Sequence, residues 1–130
     1  MRGVRGAVSV PSNDEPTILD CTRRMISEAL ELNAIQPEQI AAILFAVTPD
    51  LDAAYPARAA REMGLRHVPL LDFVSPDVKG GMAMVVRMLL LWNTDVEQGR
   101  LRHVYLGDAG KLRPDLAEPA GAPGRASSLP

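Results

Sequence analysis

The stretch IAAILFAVT, residues 40–48, is apolar at nearly every consecutive position, so whatever it forms is apolar on both sides. A run of that length fits a central strand covered on two faces, and a sheet must be built around it. RGVRGAVSV, residues 2–10, alternates instead. Val4, Val8 and Val10 fall on one side, and Gly3, Arg5 and Ala7 on the other. The alternation predicts a first strand whose second face is small apart from Arg5. Between these strands, SNDEP gathers helix-start residues with an acid and a proline in the first turn. Ile18, Met25, Ile26, Ala29 and Leu30 then recur at helical spacing, and Asn33 supplies a stop.

Further along, ARAAREMG reads as a short helix ended by Gly64, and RHVPLLDFV as a third strand. MAMVVRMLLLWN is ambiguous: Val85 and Val86 favour a strand, and the Met and Leu content favours a helix. TDVEQG has the makings of a helical turn capped by Thr94 or Asp95, and LRHVYLGD those of a last strand. Strands and helices mix without strict alternation, so α+β is the first expectation and α/β the second. The Pro-, Gly-, Ser- and Ala-rich stretch 117–130 is expected to be a mobile tail outside a single domain at 1–116.

A chain of 130 residues has room for one core, and its five aromatics leave core building to aliphatic side chains. The formal net charge of −2 gives no overall attraction to nucleic acid or to an anionic membrane, so any basic site must be local. Twelve of the fourteen basic residues are Arg. This excess reflects either a GC-rich genome or a use for the planar fork that matches carboxylate and phosphate. Cys21 is the only cysteine, which rules out an intrachain disulfide and points to a reducing compartment. The first ten residues hold no signal-peptide core, and the longest apolar run is interrupted by Arg87. A cytoplasmic protein is expected.

Several chemistries find no support. His67 and His103 are far apart and without acidic clusters, so no metal is expected. Cys21 falls in the first helix, no nucleophile elbow is present, and VKGGM is too short for a phosphate loop. Anion binding is better supported. Arg87 stands alone in VVRMLLLW, where burial without a partner would cost several kcal/mol. It needs either a carboxylate, Asp72 or Asp77, or an anionic ligand. Arg5 has room on its strand face, unless it is merely exposed. The Tyr105 hydroxyl points into a cleft or into the core. Arg58 and Arg61, three apart, form either a solvated basic face or part of a site.

Taken in order, RGVRGA, TPDL followed by YPARAARE, VPL, GG, WNTDVEQGRLRHVYL and LRPDL resemble the monofunctional AroH-class chorismate mutases over roughly residues 2–116. The resemblance implies a trimer of small subunits, each with a mixed five-stranded sheet, one long helix and one short helix. It also implies active sites in clefts between neighbouring subunits. The implied reaction is the rearrangement of chorismate to prephenate on the way to phenylalanine and tyrosine, without cofactor or metal.

By this resemblance Arg5 and Arg87 match two site arginines, and Tyr105 a tyrosine that hydrogen-bonds a substrate carboxylate. Tyr55 matches an aromatic from the adjacent subunit. Arg58 stands where relatives carry a lysine or another residue, and Arg61 matches an arginine at the cleft edge. Leu112 and Arg113 match a segment that helps cover the site. One position departs from the family: Ser75 stands where relatives generally have a glutamate that accepts a hydrogen bond from the substrate ring hydroxyl. Asp72 stands where a relative can carry a site cysteine. Val68, Leu70, Asp72 and Val74 share a strand face, so Asp72 is expected to supply the missing carboxylate, with Asp77 a weaker candidate. The alternatives are an Arg87–Asp72 pair serving stability alone, or an inactive relative. The alternative function is a trimeric binding or regulatory protein for an aromatic-pathway carboxylate.

Overall fold

A computed structural model describes residues 1–111. Leu112, Arg113 and the expected tail lie outside the described residues. Five strands form one mixed sheet: β1 (Arg2–Ser9), β2 (Ile40–Val47), β3 (Leu70–Val74), β4 (Val85–Trp92) and β5 (Val104–Leu106). Their spatial order is β3-β2-β4-β1-β5. β4 runs antiparallel to both β1 and β2, whereas β3 lies parallel to β2, and β5 parallel to β1. The α+β expectation holds, with one long helix, α1 (Glu15–Asn33), and one short, α2 (Ala57–Glu62). The ambiguous fourth element is a strand. Between β1 and β2 it buries Val86, Met88, Leu90 and Trp92 on one side, and strand pairing outweighs the Met and Leu preference for helix.

Both helices lie on one face of the sheet. Ile18, Met25, Ile26 and Ala29 of α1 are fully buried. They meet Val4 and Val8 of β1, Ile43 and Phe45 of β2, and Met88 and Leu90 of β4 in a single core. Each large aliphatic side chain buried there contributes about 1.5–3 kcal/mol. α1 starts where SNDEP predicts: the Asp14 carboxylate accepts from the Thr17 N–H at 2.9 Å, with Pro16 in the first turn. Asn33 also acts at the helix end. Its Nδ2 donates to the carbonyls of Ala29 and Arg102, and its Oδ1 accepts from the Arg102 N–H. The helix terminus is thereby tied to the approach to β5.

The turn expected from Thr94 or Asp95 falls later, as one 3₁₀ turn at Gln98–Arg100 without a side-chain cap. Thr94 is used instead to accept from the Val96 N–H at 3.2 Å.

β5 leads into a last 3₁₀ segment, Gly107–Lys111, through Gly107 at φ +61°. A Cβ there would lie 2.3 Å from Ser9 Oγ, which accepts the Asp108 N–H at 2.8 Å. Gly107→Ala combines a left-handed strain with that collision, and the expected loss is about 1–3 kcal/mol. Denaturant unfolding monitored at Trp92 measures it; parental stability in the variant would show that the turn relaxes freely.

Candidate anion-binding site

Among the described residues neither α-helix covers the second face of the sheet, where only Ala109 of the last 3₁₀ segment packs against Ala7 and Val85, and the strand register determines what the face presents. Phe73 pairs with Ala46, Ala46 with Arg87, Arg87 with Ala7, and Ala7 with Tyr105. One row therefore crosses all five strands as Phe73–Ala46–Arg87–Ala7–Tyr105, with the guanidinium between two methyl groups. The next row reads Leu71–Leu44–Leu89–Arg5. Arg5, Ala7, Leu44, Phe73, Arg87 and Tyr105 surround a concavity of about 480 Å³. The expected room beside Arg5 is real, and Tyr105 lines the cleft rather than the core.

Arg87 is exposed in the subunit and forms no ion pair with Asp72 or Asp77. Among the described residues, ion pairs involve only Arg23 and Arg58 as cations, so Arg5 and Arg87 face the concavity without a carboxylate. Positive charge above an apolar floor favours an anion more than the same charge in open water does. One further contact shapes this half. The Arg5 backbone N–H donates to His103 Nδ1 at 2.9 Å, one residue before the β1–β5 ladder begins at Gly6 and Val104. From the sequence His103 reads as a surface strand end; its sole legible signal is its place immediately before a short strand.

A second concavity, of about 600 Å³, lies at the sheet edge near α2 and is lined by Tyr55, Arg58, Asp72 and Val74 among others. Here the expectation for Asp72 needs a correction of place. Asp72 pairs with the buried Phe45, so it projects to the helix face, opposite to Arg87. Its carboxylate accepts from the Ala57 N–H at 3.0 Å and so tethers the start of α2. Within one subunit it cannot stand beside the guanidinium. Burial pushes the Asp72 carboxyl above the ordinary carboxylate range, against the lowering by the Ala57 N–H and by the positive charge of Arg61.

Arg58 is already occupied, donating to Glu15 at 2.7 Å and to Glu62 at 2.9 Å. Both pairs are solvent-exposed and each is worth under about 1 kcal/mol. Arg61 interacts electrostatically with Asp72.

Ser75 follows β3 and is 9% exposed, and its Oγ has no hydrogen-bond partner. Together with Thr48, Asp77 and Arg87 it lines a third concavity, of about 660 Å³, that shares Ala46, Phe73 and Arg87 with the first. Among the described residues no group of three His, Cys, Asp or Glu could hold a metal ion, and no helix is long and apolar enough to cross a membrane.

Two guanidiniums without an ion pair among the described residues and a phenol thus share one apolar sheet face. The family is settled by comparison. The chain belongs to the family described as chorismate mutase type I, whose profile matches residues 1–116. Over 117 residues it is 48% identical to the chorismate mutase AroH of Thermus thermophilus, covering 89% of this chain and 96% of that one. Identity to the chorismate mutase AroH of Bacillus subtilis is 40% over 118 residues, covering 90% and 93% respectively. A solved chorismate mutase from Clostridium thermocellum superposes with a TM-score of 0.84 at 36% identity, over 85% of this chain and 99% of that one.

The raised Asp72 pKa has a signed consequence for stability. The fold binds that proton more tightly than the unfolded chain does. The stabilisation is full below the ordinary value of 3.8 and is lost as pH rises through the higher folded value. Asp72→Asn keeps an oxygen to accept from Ala57 and loses the titration. Its stability relative to the parent should therefore rise between acid and neutral pH. Denaturant midpoints across that range test this, and a pH-independent difference would remove burial as the cause.

Proposed function

We infer that this chain is a chorismate mutase, an isomerase that rearranges chorismate to prephenate for aromatic amino-acid biosynthesis. The observation that carries the mechanism is the unpaired Arg87 guanidinium between Ala7 and Ala46, on the face that also presents Arg5 and Tyr105. The reaction is unimolecular: a carbon–oxygen bond breaks as a carbon–carbon bond forms. It needs no nucleophile and no proton transfer, so the protein's tasks are orientation and charge stabilisation. Arg5 and Tyr105 fix substrate carboxylates and hold the enolpyruvyl arm over the ring. Arg87 faces the ether oxygen, where negative charge grows as its bond to the ring breaks. That interaction is stronger in the transition state than in the ground state, and only such a difference accelerates the step.

The developing positive charge on the ring calls for a carboxylate, and here the site extends beyond one subunit. Asp72 and Tyr55 line the concavity at the sheet edge, Arg61 acts electrostatically on Asp72, and we assign all three to the site of a neighbouring copy. A homotrimer with shared clefts satisfies this division. Leu71, Phe73 and Leu89 on the helix-free face are 57%, 50% and 37% exposed, the kind of surface a second copy covers. Leu112 and Arg113 are assigned to the cover of the cleft by resemblance. Arg58, held by Glu15 and Glu62, has less charge to offer an anion than Arg5 or Arg87. Ser75 offers its unpartnered hydroxyl to the substrate ring hydroxyl. The expected compartment is the cytoplasm, which suits the unpaired and buried Cys21.

A second reading, a binding protein without turnover, draws on Ser75, which cannot supply the negative charge of the family glutamate. Loss of chorismate absorbance separates the two. The parent should turn chorismate over, and Arg87→Ala should reduce kcat about a hundredfold or more. Arg87→Lys should recover little of this, because a point charge does not reproduce the fork. Asp72→Asn should lower kcat without unfolding the protein, and parental activity should fall as acid protonates Asp72. A folded parent that binds but never converts chorismate would establish the second reading. Sedimentation as a monomer at assay concentration would remove the shared cleft.

A further inference from the structure

The segment from Ser75 to Ala83 walls the cavity beside Arg87, and the residue that follows it, Met84, is held in an uncommon way. Met84 has φ +57°, in the left-handed region that a residue with a Cβ enters only at a cost. Its N–H donates to both carboxylate oxygens of Asp50, at 3.2 and 3.1 Å. Its carbonyl accepts from the Val10 N–H at 2.8 Å. Asp50 is in turn held by Thr48, whose hydroxyl donates to it at 2.5 Å and accepts from the Val85 N–H at 3.0 Å. The Thr48 N–H donates to the Val85 carbonyl at 3.1 Å.

The β2–β4 ladder itself ends at Val47 and Val86. Beyond that rung, Thr48 and Asp50 carry the pairing onward with side chains. Arg87 is two residues past Val85, so the position of this clasp decides where the chain enters β4. Entry position in turn decides whether the guanidinium stands between Ala7 and Ala46. A strained residue persists only where its surroundings over-determine it, and here a carboxylate, a hydroxyl and a backbone N–H do so together.

We propose that Asp50 is a positioning residue for Arg87: with Thr48 it holds Met84 left-handed, fixes the start of β4 and thereby aims the guanidinium. The proposal rests on the mutase reading above. Asp50 does not touch the groups that hold substrate: Arg5 and Tyr105 sit on β1 and β5, and β1 meets the clasp only beyond its end, through the Val10 N–H. Losing Asp50 therefore affects the transition state more than substrate binding.

The test is steady-state chorismate turnover by Asp50→Ala, Asp50→Asn, Met84→Gly and the double variant Asp50→Ala/Met84→Gly, with circular dichroism to show that each is folded. Asp50→Ala should lower kcat about tenfold or more with KM within about twofold, as a small misplacement of a charged group does. Asp50→Asn retains an acceptor oxygen and should fall between Asp50→Ala and the parent. Met84→Gly adopts the left-handed conformation without strain and should behave as the parent. In the double variant, glycine should restore most of the lost kcat.

A folded Asp50→Ala with parental kcat overturns the proposal, as does one in which only the melting temperature falls. A double variant no better than Asp50→Ala also overturns it, since the effect would then not pass through Met84. A folded parent without turnover fails the mutase reading itself, and is seen before any variant is made.

Discussion

Arg87 stands between Ala7 and Ala46, and the open face is organised around that row. Methyl groups on both neighbouring strands leave the guanidinium uncovered from the side and unable to reach a carboxylate along the sheet. Larger residues at either position would fill the concavity that Arg5 and Tyr105 share. The same row requires a sheet covered by helices on one face only, because a second helical layer would bury the cation. Placing α1 and α2 together on the other face is thus a condition of the site as well as a packing solution. α1 approaches β1 closely at Gly6, where a Cβ would meet Met25 Sδ at 3.0 Å.

The charge distribution follows the same division. The chain is slightly acidic overall, yet Arg5 and Arg87 have no carboxylate beside them, whereas Arg58 has two. Net charge therefore says little about where an anion can sit. What matters is which guanidinium the fold has left unneutralised, and that depends on strand register rather than on composition. The Asp72 carboxylate shows the converse: it is spent partly on a backbone N–H at the start of α2 and partly desolvated. A carboxylate so placed is held to one position by its backbone partner.

Much of the fold was legible because period-two alternation and helical spacing report burial directly. The buried Val4 and Val8 against the exposed Arg5, or Ile18, Met25, Ile26 and Ala29 along α1, each follow from that rule alone, whereas Ala7 on the Arg5 face is buried as well. Arg5, Arg87 and Tyr105 were legible as odd polar groups in apolar strands. The β4 residues were not assignable by pattern, since a short apolar run fits either period. The side of the sheet taken by Asp72 was illegible for a different reason. Its strand face could be listed from the sequence, but which face looks toward α2 is fixed by pairing with Phe45, a contact between residues far apart in the chain. The contacts of His103 and Asp50 could not be read because each bonds to a backbone N–H, and a backbone partner leaves no mark in the sequence.

The sheet order has a consequence for how the molecule comes into being. β1 is the first strand synthesised, yet its partners are β4 and β5, the last two. While the chain is emerging, residues 2–9 have no strand to pair with, and β2 can meet only β3. The loops that must close before β1 is paired span most of the described chain, and long closures of this kind make for slow assembly. Until then the alternating apolar side of β1 is available to other chains and to chaperones. The full row from Phe73 to Tyr105 exists only when all five strands are in place, and a nascent chain with β2 and β3 alone forms just its Phe73–Ala46 end.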